Sequence, residues 1–105
     1  MGKTQIQKDI RIFRKRIQKR FQPQKMLLFG SYVDGKATIY SDVDVVVIAD
    51  AFKTIPFEKR LDILYPFTQD LIHDFHVFGY TPEEFARVSP LTSIYEAKTH
   101  SIDLL

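Results

Sequence analysis

Two aspartates, Asp42 and Asp44, stand at the beginning of the most strand-like segment of the sequence. Because side chains alternate along a strand, their carboxylates share one face and lie about 7 Å apart along the chain. Two like charges that close are costly unless a cation lies between them. Mg²⁺ suits this position, since it binds carboxylate oxygens and keeps water and substrate phosphates as its other ligands. Two-metal phosphoryl chemistry uses ions about 3.5–4 Å apart, so the pair could hold one or two ions.

Gly30 and Ser31 supply the second half of this pattern. A glycine directly after a strand lets the backbone come close to a phosphate. If a short helix begins at Ser31, its free N–H groups and its dipole favour an anion. The serine hydroxyl adds a donor, and the same loop carries Lys36 and Ser41. We therefore expect these four residues to bind the phosphates of a nucleotide.

Gly-Ser, a spacer and then Asp-X-Asp on a strand resemble the signature of the DNA polymerase β-like nucleotidyltransferase superfamily. With Gly35 and Ser41-Asp42-Val43-Asp44, the motif is similar to that of a small prokaryotic branch, the minimal nucleotidyltransferase (MNT) domains. The resemblance extends over roughly residues 5–105. It implies Mg²⁺-dependent transfer of a nucleoside monophosphate, AMP from ATP, to an acceptor hydroxyl. Small members of this branch are often paired with a HEPN-domain protein, so it also implies an antitoxin that attaches AMP to a tyrosine of that partner.

The family's third carboxylate, which helps bind the metal and can take the proton of the attacking hydroxyl, lies on the next core strand. Alignment on the Thr-Pro-Glu-Glu-Phe sequence that follows puts His76 at that position. Asp74 lies two residues earlier on the same strand face, and we take it as the third metal ligand and base. The alternative is a site of two carboxylates and a histidine, with its chemistry weakened or lost. Asp34 is a second departure, because many relatives carry Arg or Lys there and an acid would repel a triphosphate.

The elements that must position these residues follow from hydrophobic spacing. Residues 4–21 predict an amphipathic helix with one apolar face, formed by Ile6, Ile10, Phe13, Ile17 and Phe21. The β-branched run from Val45 to Ile48 is typical of a strand covered on both faces. A second helix after Pro56 should bury Phe57, Leu61, Leu64 and Phe67. The remaining predictions are strands at 25–29, 42–49, 73–80 and 102–105, and helices after Thr81 and Ser89. The pattern predicts one α+β domain over residues 1–105, a small mixed β-sheet flanked by helices in the polymerase β-like nucleotidyltransferase fold.

Composition and charge narrow the class of protein. The chain has no cysteine, which excludes disulfides and thiolate metal sites. No apolar run approaches the ~18 residues of a membrane span, and no apolar segment follows the basic N-terminus as in a signal peptide. We therefore expect a cytoplasmic protein that does not enter a membrane. Residues 1–25 hold nine of the fifteen Lys and Arg and a single acid, so a basic arm precedes an acidic body.

Two other functions fit parts of this sequence. Because of His76 and Asp34, the chain could be a binding module that neutralises a HEPN toxin by contact alone. Because of its basic first helix, it could be a nucleic-acid-binding regulator, although the bases are spread too far round the helix to define a groove-reading face. A homodimer is a further expectation, since the Ile/Phe face of that helix and the aromatic-rich strand offer more apolar surface than one small sheet covers.

Overall fold

The computed structural model describes residues 2–38 and 40–105, so that Met1 and Ile39 lie outside the description, as do the side chains of Gly2, Lys3 and Thr4. The expectation of a single domain over residues 1–105 stays a prediction. Three short 3-10 turns lie between the regular elements. Those elements are α1 (Gly2–Phe21), β1 (Lys25–Phe29), α2 (Ser31–Asp34), β2 (Val43–Ile48), α3 (Phe57–Leu64), β3 (Phe75–Tyr80), α4 (Pro82–Ala86), α5 (Glu96–Thr99) and β4 (Ile102–Asp103).

The four strands form one mixed sheet in the order β3-β2-β1-β4. β1 pairs antiparallel with both β2 and β4, whereas β2 and β3 run parallel. A parallel pair needs a crossover connection, and α3 supplies it between β2 and β3. This mixed sheet with flanking helices confirms the predicted α+β fold.

Helix α1 packs its apolar face on one side of the sheet. Its buried side chains meet alternate residues of the central strands in one core, made up chiefly of Ile6, Phe13, Ile17, Phe21, Met26, Leu28, Val43, Val45 and Val47. The other side of β1 and β2 packs on Ile94 and Ala97 of the C-terminal segment. The central strands are therefore covered on both faces, as their continuous apolar run predicts. Because the Ile/Phe face of α1 is used inside the chain, it is not the spare apolar surface on which we based the expected homodimer.

Helix α3 buries different residues from those expected. Leu64 is buried and Phe67 is partly buried, but Phe57 and Leu61 are mainly exposed. Arg60 takes the inward position instead and is only 4% exposed. Its guanidinium donates to the backbone oxygens of residues 52, 55 and 79 and to the carboxylate of Glu84, which satisfies the buried charge.

The start of α4 bears out its sequence signal, and an ion pair ties α1 to the body of the domain. Thr81 caps α4 through a capping box in which its hydroxyl accepts from the Glu84 N–H and the Glu84 carboxylate accepts from the Thr81 N–H. Arg16 of α1 is held against the body by a bidentate contact to Asp70, at 2.7 and 2.9 Å. None of the helices in the described residues has the length and apolarity that crossing a membrane requires.

Candidate active site

The two motif aspartates lie where β2 begins, beside the neighbouring strands. Asp42 immediately precedes the strand and Asp44 is its second residue. In the sheet register Asp44 stands opposite Phe29 of β1 and His76 of β3. The side chains of Asp42 and Asp44 are 38% and 26% exposed, so both carboxylates are open to a ligand while held by a rigid strand.

His76 bridges the two carboxylates. Its Nε2 lies 3.4 Å from Oδ2 of Asp42, and its Nδ1 lies 3.5 Å from Oδ1 of Asp44. The parallel register puts His76, and not Asp74, directly beside Asp44. Asp74 precedes β3, where its backbone oxygen accepts from the Val43 N–H at 2.8 Å and its side chain is exposed. The sheet thus pairs His76 with Asp44, and the choice between Asp74 and His76 at the third position of the site stays a prediction.

The carboxylate of Asp44 is electrostatically crowded. Burial raises its pKa, His76 opposes that rise, and the negative charges of Asp42 and Glu96 add to it. Glu96 belongs to α5 and was not among the predicted site residues. No motif indicated it, because its position depends on how the C-terminal segment packs against β1.

The position of Gly30 has no room for a side chain because it contacts Asp44. Its φ of 83° and ψ of −151° lie in a region that residues with a Cβ rarely adopt. A Cβ built at this position would collide with Oδ2 of Asp44. The missing side chain of Gly30 thus makes the space in which the Asp44 carboxylate lies. Ser31 then begins α2, as predicted, although α2 has only four residues and therefore a weak dipole.

The rest of the loop is held by local contacts. Ser41 Oγ accepts from the Thr38 N–H at 2.8 Å, which closes a turn immediately before Asp42. Asp34 lies 2.9 Å from Nε2 of His100, so a basic side chain stands beside the acid that we expected to repel a triphosphate. Lys36 is exposed.

Two cavities flank this group of residues. The smaller, of about 270 Å³, includes Asp42, Asp74 and His76 in its wall. The larger, of about 890 Å³, includes Ser31 and Ser41 with Tyr32 and Tyr40. Asp74 lines both cavities, whereas Asp44, Lys36 and Gly30 line neither. Asp42 and Asp74 are thus brought to a space that adjoins the one lined by the predicted phosphate-binding serines.

The residues present fit Mg²⁺ with two protein ligands. Within residues 2–38 and 40–105, no three or more His, Cys, Asp or Glu side chains are grouped closely enough to hold a metal ion between them. Asp74 does not join Asp42 and Asp44 in a ready three-ligand group, and its role as a ligand stays a prediction. Mg²⁺ is commonly bound through one or two carboxylates, with water and substrate phosphates completing its shell. A cation would also relieve the repulsion around Asp44.

Comparison with known proteins assigns this arrangement to a family. A family model described as a nucleotidyltransferase domain matches residues 10–98, which contain every predicted site residue. The chain belongs to the nucleotidyltransferase domain family. As a nucleotidyltransferase domain, it is a transferase of nucleotidyl groups. No curated protein matches the chain in sequence.

Solved structures of other proteins have folds similar to that of this nucleotidyltransferase domain. A proposed nucleotidyltransferase from Sulfolobus solfataricus has a TM-score of 0.61 and 17% identity, over 98% of this chain and 87% of that one. BolA1 from Arabidopsis thaliana has a TM-score of 0.57 and 20% identity, over 72% of this chain and 94% of that one. At these identities the likenesses show the fold alone, so the family assignment rests on the sequence match.

Proposed function

We propose that this chain is an MNT-type enzyme, a cytoplasmic antitoxin that transfers AMP from ATP to a hydroxyl of a partner HEPN-domain protein. The observation that carries this proposal is the close packing of the Asp44 carboxylate on Gly30. This contact brings the loop that we propose binds phosphates against the strand that we propose binds the metal. A carboxylate crowded by burial and by two other acids is costly to the fold, and such costs are typical of functional sites.

The proposed reaction is a single displacement. The oxygen of the acceptor hydroxyl forms a bond to the α-phosphorus of ATP, and the bond from that phosphorus to the bridging oxygen of the β-phosphate breaks. AMP is then ester-linked to the acceptor, pyrophosphate leaves, and the hydroxyl proton passes to a base. Mg²⁺ bound by Asp42 and Asp44 would neutralise charge on the phosphates.

The residues divide between the two cavities according to these roles. Ser31 and Ser41 line the larger cavity and would hold the phosphates of ATP there, with the exposed Lys36 close to them in sequence. Asp74 lines both cavities, and from there it would receive the proton of an acceptor that enters the smaller one. Two ions remain an option for this site, and binding of both needs substrate phosphates as additional ligands.

Transfer of label from [α-³²P]ATP tests the proposal. The chain is incubated with ATP, Mg²⁺ and the HEPN-domain protein proposed as its partner, and label on that protein is measured. We expect Asp42→Ala and Asp44→Ala to abolish transfer, and Asp74→Asn to reduce it at least a hundredfold with ATP binding retained. Asp50→Ala is the matched control, because Asp50 is an exposed acid whose contact is an ion pair with Lys53. Equal labelling by all variants, or none by the wild-type chain, would count against an enzyme.

The register of β3 favours one second candidate, an antitoxin that acts by contact alone. His76 stands beside Asp44 at the position of the family's third acid and bridges both motif carboxylates. In that case a correctly folded Asp42→Ala variant would still protect cells from the toxin. Loss of protection by that variant, with its binding to the toxin unchanged, would leave the enzyme as the better explanation.

A further inference from the structure

Helix α3 and Tyr65, the residue that directly follows it, carry a row of exposed apolar side chains. Phe57, Leu61 and Tyr65 are 55%, 61% and 57% exposed. They recur every four residues on one face, over about 12 Å at 1.5 Å per residue. Single exposed apolar side chains are common on protein surfaces, but three on successive turns form a continuous surface. We call these three residues the α3 stripe.

The α3 stripe leads to the candidate active site. Tyr65, its last residue, also lines the cavity of about 270 Å³ that contains Asp42, Asp74 and His76. The serines assigned to the nucleotide phosphates line the other cavity. A molecule lying on the α3 stripe would therefore reach the carboxylates from the side that the nucleotide leaves free.

Acidic side chains run along one border of the α3 stripe. Glu58 and Asp62 are exposed and lie one turn apart on the same flank, and Asp74 is exposed in the cavity beyond. Lys59 lies about 100° further round the helix than Glu58, away from the stripe. A nucleic acid would bring phosphates against these acids, and that arrangement is repulsive. An apolar surface with an acidic border fits a polypeptide that has apolar anchors and basic neighbours.

We propose that the α3 stripe is the docking surface for the protein that supplies the acceptor hydroxyl. This rests on the proposed transfer reaction. A segment of that protein packs apolar side chains on Phe57 and Leu61, pairs basic side chains with Glu58 and Asp62, and extends its hydroxyl past Tyr65 into the cavity. A second copy of this chain is a poorer occupant, because its own stripe has acids at its border and not the basic side chains that Glu58 and Asp62 would pair with.

Binding without ATP tests the surface separately from the chemistry. Isothermal titration with the HEPN-domain protein proposed as partner is compared for wild type, Leu61→Ser, Asp62→Lys and a control, Leu91→Ser. Leu91 is 96% exposed and lies outside α3, so its replacement matches the chemical change away from the surface. We expect Leu61→Ser to weaken binding at least tenfold, Asp62→Lys to weaken it about tenfold, and Leu91→Ser to leave it within twofold. The affinity for Mg·ATP and the melting temperature should stay unchanged in all three, because these side chains are exposed.

The other outcomes contradict the proposal in separable ways. Equal partner affinity in Leu61→Ser and Leu91→Ser overturns the docking surface even if labelling succeeds. Absence of wild-type binding to the partner also overturns it. A dimer in sedimentation that Leu61→Ser dissolves would assign the stripe to a second copy. RNA binding that Leu61→Ser weakens would assign it to nucleic acid. If the binding pattern is as expected and no label is transferred, the surface stands and the proposed enzyme fails.

Discussion

Replacing Gly30 with alanine should damage both the fold and the nucleotide site, whereas the same change at Gly35 should affect stability alone. Both glycines have positive φ, 83° and 76°. Gly35 has the left-handed helical conformation with open space around it, so alanine there should cost about 1–2 kcal/mol. Gly30 is in a backbone region almost confined to glycine, so placing alanine there should cost about 1–3 kcal/mol. The Cβ of that alanine would also collide with Asp44. Forcing that carboxylate aside adds about 1–3 kcal/mol.

The two variants are compared by urea denaturation and by titration with a fluorescent ATP analogue and Mg²⁺. Gly30→Ala should lose about 2–3 kcal/mol more than Gly35→Ala at the middle of these ranges, and in a domain of this size each kcal/mol lowers the melting temperature by about 4–8 °C. It should also bind Mg·ATP at least tenfold more weakly, since Asp44 moves. Gly35→Ala should bind it with nearly wild-type affinity.

A double variant separates collision from backbone strain. In Gly30→Ala/Asp44→Ala the carboxylate that the new Cβ meets is gone, so the two costs should not add, and the shortfall should reach at least about 1 kcal/mol. Strict additivity would mean that the Gly30–Asp44 contact does not constrain the loop. Equal stability and equal Mg·ATP affinity in Gly30→Ala and Gly35→Ala would refute the whole line of reasoning.

Three further predictions concern the buried charge, the packing of β3 and the bridging histidine. The hydrogen bonds from Arg60 lower the pKa of Glu84. The Glu84 carboxylate therefore stabilises the fold above its unfolded pKa of about 4.3, and this stabilisation is lost as pH falls through the lowered folded-state pKa. Glu84→Gln should cost about 1–2 kcal/mol of unfolding free energy at pH 7 and progressively less in denaturation measured below pH 4. Gly79→Ala should lower the melting temperature without changing ATP affinity, because a Cβ there would lie 2.9 Å from the Phe52 ring. His76→Asp should destabilise the metal-free protein by about 1 kcal/mol and increase the stabilisation that Mg²⁺ gives; an equal Mg²⁺ effect in wild type and variant would contradict this.

Periodicity and turn chemistry predicted the elements whose stabilising contacts are local or repetitive. The Ile/Phe face of α1 and the β-branched run of β2 identify surfaces that must be buried, and Thr81 marks a helix start by its own hydrogen bonds. The buried face of α3 could not be predicted from periodicity. Its apolar spacing fits a face on which Phe57 is exposed, and the burial of Arg60 depends in part on acceptors from Gly79 and Glu84, which lie on later elements of the chain.

The site shows the same division. Gly30, Ser31, Asp42 and Asp44 lie in one short stretch, so their spacing was enough to indicate phosphate and metal chemistry. The relation of His76 to Asp44 depends on the parallel pairing of β2 with β3, which alternation within one strand does not specify. The approach of Glu96 depends on the packing of α5, and no local pattern encodes it.

The contact between Gly30 and Asp44 bears on function more directly than the fold does. Small α+β folds serve many unrelated activities, so the order of strands cannot select one. Stability alone would favour an apolar residue beside a half-buried strand start, together with a backbone that tolerates a Cβ. This chain has a carboxylate whose pKa is raised by burial and by two neighbouring acids, packed against a glycine at a position with no room for a Cβ. The crowded carboxylate lowers the stability of the protein on its own, and a cation and phosphates bound at the site would offset that cost. The Asp44 carboxylate packed on Gly30 costs stability in the unliganded protein and would favour the liganded one, and it is therefore the part of this structure that argues for nucleotidyl transfer.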